Sequence, residues 1–161
     1  MTQARDRMRW IALVGWLGLC FAVAGLGGRW TTPEIPTWYR TLARPAFAPP
    51  NWIFGPVWSL LYLLMAVAAW QAGQSAATPL RTLGLTLFVV QLGLNLAWSW
   101  IFFRHHAVGA AVVEIALLWV AIGATTVVFG LVAPLAGWLM LPYWGWVSFA
   151  TMLNIAFWKL N

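Results

Sequence analysis

The side chains in this sequence that could do chemistry recur at helical spacing. Gln91, Asn95 and Trp98 fall at i, i+4 and i+7, which places them on one face of a helix. Trp58 and Tyr62 stand four residues apart, and Trp146, Ala150 and Asn154 follow at successive four-residue steps with Leu153 and Phe157 alongside. Three helices would thus each offer a face mixing aromatic rings with a few hydrogen-bonding groups. A large, flat, mostly apolar ligand needs that mixture: area from the rings, orientation from a few polar atoms. The same spacing also serves a plainer purpose, in which Gln91, Asn95 and Asn154 bond neighbouring helices and the rings fill the bundle.

Other chemistry is poorly provided for. No nucleophile and base, paired carboxylates or phosphate-binding loop can be assembled, so conventional hydrolysis or group transfer is disfavoured. Glu114 is the sole acidic residue within an apolar segment. With no second one to relay a proton, a protonated carboxyl or a pairing with Arg104 or the loop is expected. His105 and His106 are consecutive, so they do not face one way and make a poor bis-histidine haem site; an interfacial role is expected. The single cysteine, Cys20, rules out an internal disulfide framework and a thiolate-rich metal site, and no metal site is expected.

The elements that must position these residues are membrane spans. Of 161 residues, 63% are hydrophobic and 7% charged, against about 25% charged in a soluble domain. Long charge-free runs repeat along the chain, the signature of an integral, multi-pass membrane protein. The formal net charge of +6 comes mostly from arginines near segment ends. That suits headgroup anchoring better than a nucleic-acid partner, which would need a clustered basic face. Five segments reach the roughly 20 apolar residues a span requires: 8–28, 51–73, 79–103, 107–130 and 134–158. The expected fold is all-α, a single membrane bundle of five helices over residues 1–161, successive helices antiparallel because their connections are short. Arg5, Arg7 and Arg9 before an apolar run resemble a signal peptide, but that run continues to Gly28, and a retained span is expected. Four basic residues on the N-terminal side against five on the other leave the orientation open. Small residues four apart, such as Gly18/Ala22 and Ala24/Gly28, would permit close helix contact within the bundle or between protomers.

One stretch interrupts the lipid-soluble pattern. Residues 38–58, WYRTLARPAFAPPNWIFGPVW, hold three tryptophans, four prolines and two arginines, mostly within a Pro/Trp-rich loop at 29–50 between the first two spans. The prolines restrict this loop, so little entropy is lost in ordering it. Trp38, Tyr39 and Trp52 can offer ring faces to a flat ligand or to the headgroup belt. Arg40 and Arg44 can meet either an anionic ligand group or lipid headgroups.

The run Trp38-Tyr39, Leu42, Arg44-Pro45, Phe47, Pro49-Pro50, Trp52, Pro56, Trp58 and Tyr62 resembles the signature of the translocator protein family, also called tryptophan-rich sensory proteins. Gln91, Asn95 and Trp98 followed by Phe102-Phe103 are similar to its third helix. Pro142-Tyr143, Trp146, Phe149-Ala150-Thr151 and Leu153-Asn154 are similar to its fifth. The resemblance covers about residues 10–159 and points to a bacterial member. It implies five transmembrane helices, commonly a homodimer, and a pocket at the bundle end closed by the first loop. Its ligands would be protoporphyrin IX or a haem-type tetrapyrrole and other flat hydrophobic molecules, with no required cofactor. The ligand-binding residues it marks, together with the faces above, are Trp38, Tyr39, Arg44, Pro45, Trp58, Tyr62, Gln91, Asn95, Trp98, Trp146 and Ala150.

Three consequences of binding stand in order: a sensor or scavenger of tetrapyrroles, a transporter of them, and a light-dependent porphyrin-degrading enzyme with Trp58 and Trp146 as redox partners. An odd number of spans and the lack of an inverted repeat disfavour transport. The chain departs from the family at Phe47, where a tryptophan is usual, and at Asn51 and Ser99-Trp100 relative to animal members. The sterol pattern near Leu153 and Lys159 carries Phe157 in place of tyrosine, so tight sterol binding is not expected.

Overall fold

A computed structural model describes residues 2–161. Helix α1 (Thr2–Thr31) leads into a one-turn helix α2 (Trp38–Thr41) and a 3-10 turn (Asn51–Ile53). Then come α3 (Phe54–Gly73), α4 (Pro79–Ser99), a π-helical turn (Trp100–Arg104), α5 (Val108–Val132) and α6 (Pro134–Leu160). The described residues contain no strand. The all-α expectation is met.

Local signals start and stop these helices. Thr78 caps α4, its Oγ1 accepting from the Arg81 N–H at 3.2 Å, and Pro79 and Pro134 occupy the opening positions of α4 and α6, where a missing N–H costs nothing. A single residue, Ala133, separates α5 from α6. The two helices meet there so closely that a Cβ on Gly137 would lie 2.7 Å from the Gly130 Cα.

Four helical stretches are long and apolar enough to cross a membrane: Gln3–Thr31, Asn51–Gly73, Pro79–Arg104 and Val108–Val132. Helix α6 has 27 residues and so spans about 40 Å. Its tryptophans, Tyr143 and Pro142 dilute its apolar character, since indole and phenol rings favour the membrane interface over the hydrocarbon. The outward faces are bare hydrocarbon: Val113, Leu117, Val120, Val127 and Leu131 of α5 are all more than half exposed. An apolar face of that size is unsuited to water and suited to lipid.

The long helices close into a ring: α5 packs between α4 and α6, α3 joins α6 to α1, and α1 returns to α4. The core is filled by Met65, Phe88, Ile115, Ile122, Phe129, Met140 and Tyr143, all nearly inaccessible.

Boundaries differ from the sequence expectation in instructive ways. The first span, expected over 8–28, belongs to a helix about two and a half turns longer in total, because arginines at its start and Arg29 near its end can be helical while lying outside the hydrocarbon. The loop expected at 29–50 therefore begins at residue 32. It is also partly helical: Thr37 Oγ1 donates to the Pro33 carbonyl at 2.9 Å and the Tyr39 N–H to the Glu34 carbonyl at 2.9 Å, which winds the chain into α2. The third span ends in a π turn, closed by the His105 N–H on the Trp100 carbonyl.

Candidate ligand site

Helices α1, α4 and α6 end where α3 and α5 begin, and inside that end of the ring lies a cavity of about 350 Å³. Seven of the eleven residues singled out from the sequence line it: Tyr39, Trp58, Tyr62, Asn95, Trp98, Trp146 and Ala150. The helical faces read from spacing therefore converge on one space. Phe21, Gly27, Gly28 and Thr31 from α1 line it as well, as do Ile115 and Leu118 from α5.

The cavity floor is a buried polar network. The Tyr62 hydroxyl donates to Asn95 Oδ1 at 2.7 Å, Asn95 Nδ2 donates to the Tyr143 hydroxyl at 2.8 Å, and the Tyr143 hydroxyl donates to Gln91 Oε1 at 2.8 Å. Each member occupies a different level of α3, α4 or α6, so the chain of bonds ties three helices together. It also fixes Asn95 and Tyr62 in place at the cavity wall. A second bond, Trp98 Nε1 to Asn154 Oδ1 at 3.0 Å, joins α4 to α6, and Asn154 Nδ2 donates on to the Val108 carbonyl at 3.1 Å. Trp58 packs on Tyr62 and Tyr143, with ring centroids 5.7 and 6.2 Å apart. The indole N–H of Trp146 is buried and has no partner among the described residues.

Four sequence candidates lie elsewhere. Gln91 is wholly buried beneath the cavity, where it completes the polar network. Pro45 is absent from the lining; its carbonyl accepts from the Ala48 N–H at 3.0 Å and so turns the loop. Arg44 is spent within the loop, donating to Asn51 Oδ1 at 2.9 Å and the Pro49 carbonyl at 3.0 Å while its Cζ lies 5.5 Å from the Tyr39 ring centroid. Because Tyr39 and Asn51 both line the cavity, Arg44 sits one residue behind its rim. Trp38 faces away from the cavity and stacks on His106, centroids 4.0 Å apart and planes 9° from parallel. Its ring is also edge-on to Phe102 and Phe103.

Tyr39 is the plug. It is 5% exposed and packs on Phe103 and Phe157 at 5.7 and 5.3 Å. Burial pushes its phenol above the ordinary range, with Arg44 nearby acting in the opposite direction. The far end of the chain clasps the same loop: Asn161 Oδ1 accepts from the Ala43 N–H at 2.9 Å and its Nδ2 donates to the Ala43 carbonyl at 3.1 Å.

Glu114 is 7% exposed, and neither carboxyl oxygen finds a partner among the described residues. The expected pairing with Arg104 or the loop is not made. The described residues hold no cluster of three or more His, Cys, Asp or Glu side chains arranged for a metal ion.

Residues 16–159 match the model of the TspO/MBR family. The tryptophan-rich protein TspO of Chlorobaculum tepidum is 42% identical over 90% of this chain and 92% of its own length. The human translocator protein is 38% identical, covering 84% of this chain and 82% of its own, and the tryptophan-rich sensory protein of Cereibacter sphaeroides is 31% identical over 96% and 94%. With apolar membrane-spanning helices and a match over nearly its whole length, this chain belongs to the TspO/MBR family and is an integral, multi-pass membrane protein.

Proposed function

We propose that this protein is a membrane receptor that holds a porphyrin, protoporphyrin IX or a close relative, in the cavity beneath the loop at residues 32–50. The observation that carries this is the cavity itself: partly covered, rich in aromatic rings, and furnished with few polar groups, of which the Trp146 N–H is buried and unpaired among the described residues. A flat aromatic ligand gains from the ring faces of Trp58, Trp98 and Trp146, and a pyrrole-nitrogen or carbonyl acceptor would satisfy that stranded N–H. Porphyrin propionates would emerge at the rim, where Arg44 can exchange its amide and carbonyl partners for a carboxylate. Family membership supports the receptor role, since relatives are named translocator and sensory proteins. In this arrangement α6 is the fifth span, long enough to cross despite its aromatic content. A homodimer fits the lipid-facing glycines Gly15, Gly18 and Gly25 of α1, beside which no other group lies within 4 Å of where a Cβ would stand.

Binding is tested by titrating the purified protein with protoporphyrin IX in the dark and following the porphyrin absorption band. Saturable binding is expected. It should weaken at least tenfold in Trp58→Phe/Trp146→Phe and severalfold in Arg44→Ala. Binding that never saturates beyond detergent partitioning, or ignores these changes, removes the cavity as the site.

A light-dependent degradation of the porphyrin is the second role with a specific observation behind it. Trp58 lines the cavity in ring contact with Tyr62 and Tyr143, so its indole is held where an excited porphyrin could take an electron from it; the reduced porphyrin would return that electron to the indole or pass it to oxygen. Molecular oxygen would be the oxidant. Illuminating the complex with and without oxygen decides it: ring-opened product that needs oxygen, light and Trp58 supports the role, and bleaching that occurs equally in free porphyrin removes it.

A further inference from the structure

His106 is the residue the ligand site leaves unused, and it sits under strain. Its φ of 55° is left-handed, and it is the one non-glycine residue with positive φ among those described. A left-handed turn at a non-glycine residue is unfavourable unless its surroundings hold it. What holds it is the segment between α1 and the loop. The His106 Nε2 lies 2.9 Å from Glu34 Oε2, and the imidazole is stacked against Trp38 at 4.0 Å. Glu34 immediately precedes Ile35 and Trp38 immediately precedes Tyr39, and both Ile35 and Tyr39 line the cavity. One imidazole thus grips the covering segment at two points, both just ahead of its plug.

We propose that His106 is the catch of the lid, a positioning residue whose protonation sets how firmly residues 34–41 stay down over the cavity. With the imidazole charged, the contact to Glu34 becomes an ion pair and the Trp38 stack becomes a cation over an indole face. With it neutral, one hydrogen bond and a plain stack remain. Imidazoles change charge between about pH 5 and 8, so the lid is tightest on the acidic side of that range and loosens as pH rises through it.

No other charged side chain among the described residues makes a salt bridge to either member of the pair. Arg104 and His105 precede His106 on the same turn, and His105 packs on Trp100 at 4.1 Å. Lys159 lies on the end of α6 that meets Gly109, and Arg40 and Tyr39 are the other titratable groups of the lid. Among the described residues only Glu34 makes a salt bridge to His106. Both are solvent-accessible, with side-chain exposures of 41% and 24%, so bulk pH reaches them directly.

The proposal rests on the receptor role only for what the lid covers; the catch itself is testable without ligand. Amide hydrogen exchange of residues 34–42 is measured on the full-length protein in lipid nanodiscs at about pH 5.5 and pH 8, corrected for the intrinsic exchange rate. Protection should fall by about twofold to fivefold across that range, the size of a partly exposed ion pair. In Glu34→Gln and in His106→Phe, which keeps a ring against Trp38, that pH dependence should vanish while protection of α4 and α5 stays as in the parent. A flat profile in the parent, or the same slope in Glu34→Gln, overturns the catch. If either variant folds poorly, the His106 ring titration followed by NMR in the parent gives the answer: it must track lid protection, and a ring that titrates without any change in the lid refutes the proposal. Porphyrin release in the dark separates the two roles. Absent binding with a pH-dependent lid removes the receptor and leaves the catch; binding whose release ignores pH, over a flat lid, removes the catch and leaves the receptor.

Discussion

Removing the Tyr143 hydroxyl should hurt this protein about twice as much as removing that of Tyr62. Tyr143 is completely buried, and its oxygen is a two-way junction: it accepts from Asn95 Nδ2 and donates to Gln91 Oε1, both at 2.8 Å. Tyr143→Phe keeps the ring and its contact with Trp58 but strands one donor and one acceptor in the core. Tyr62→Phe strands a single acceptor, Asn95 Oδ1. Inter-helix hydrogen bonds in membranes contribute about 0.6 kcal/mol on average and up to about 1.7. The expected losses are therefore about 0.6–1.7 kcal/mol for Tyr62→Phe and about 1–3 kcal/mol for Tyr143→Phe. No rotation of the Asn95 amide can rescue both, because Tyr62 and Gln91 hold its neighbours at fixed polarity. Reversible unfolding in mixed micelles, read by tryptophan fluorescence, gives the two values directly. The double variant should cost less than the sum, since both bonds pass through Asn95. A Tyr143→Phe loss below about 0.3 kcal/mol, or strict additivity, would show that the floor of the cavity is not the connected network described.

Further outcomes follow from single contacts. Gly137→Ala should destabilise by about 1–3 kcal/mol in the same unfolding assay, because its Cβ would meet the Gly130 backbone at 2.7 Å, whereas Gly18→Ala, with open space around it, should be neutral. Gly123→Ala should cost less than Gly137→Ala although its Cβ would also meet a neighbour at 2.7 Å, since that neighbour is the edge of the Trp144 ring, which can shift. Glu114→Met should be neutral or stabilising, as a buried carboxyl without partners is replaced by hydrocarbon; a loss above about 2 kcal/mol would reveal a partner for the carboxyl. Trp98→Phe should lower stability by about 0.6–1.7 kcal/mol by releasing Asn154, with no such loss when Asn154 is already alanine.

Much of the site was legible because helical spacing survives into three dimensions. Gln91, Asn95 and Trp98 do share a face, and so do Trp58 with Tyr62 and Trp146 with Ala150. Depth along the helix axis was not legible. Gln91 lies on the right face but a turn too low, so it meets Tyr143 instead of the cavity. Tyr143 is the hub of the floor; Pro142-Tyr143 carried part of the family resemblance, but helical spacing did not mark Tyr143 as a site residue, because its role arises where α3, α4 and α6 meet. The contribution of α1 was hidden for another reason. Gly28 looked like a helix-contact residue, but around it there is open space, and its missing side chain helps to make the cavity. Trp38 was expected to offer its ring to a ligand. It turns instead to His106, a partner 68 residues away brought within reach by the π turn that ends α4. Loop geometry of that kind depends on tertiary contacts and leaves no period to read.

The central claim is that a flat tetrapyrrole occupies the space beneath Tyr39, and Gly28 offers the most direct test of it. Gly28→Leu would place a side chain into the cavity without meeting any existing group at its Cβ, so stability should be unchanged while the space is filled. Protoporphyrin IX binding, measured in the dark in lipid nanodiscs, should be saturable with one porphyrin per chain in the parent and at least tenfold weaker in Gly28→Leu. Equal affinity in a variant that unfolds like the parent would put the porphyrin elsewhere and contradict the assignment of the cavity.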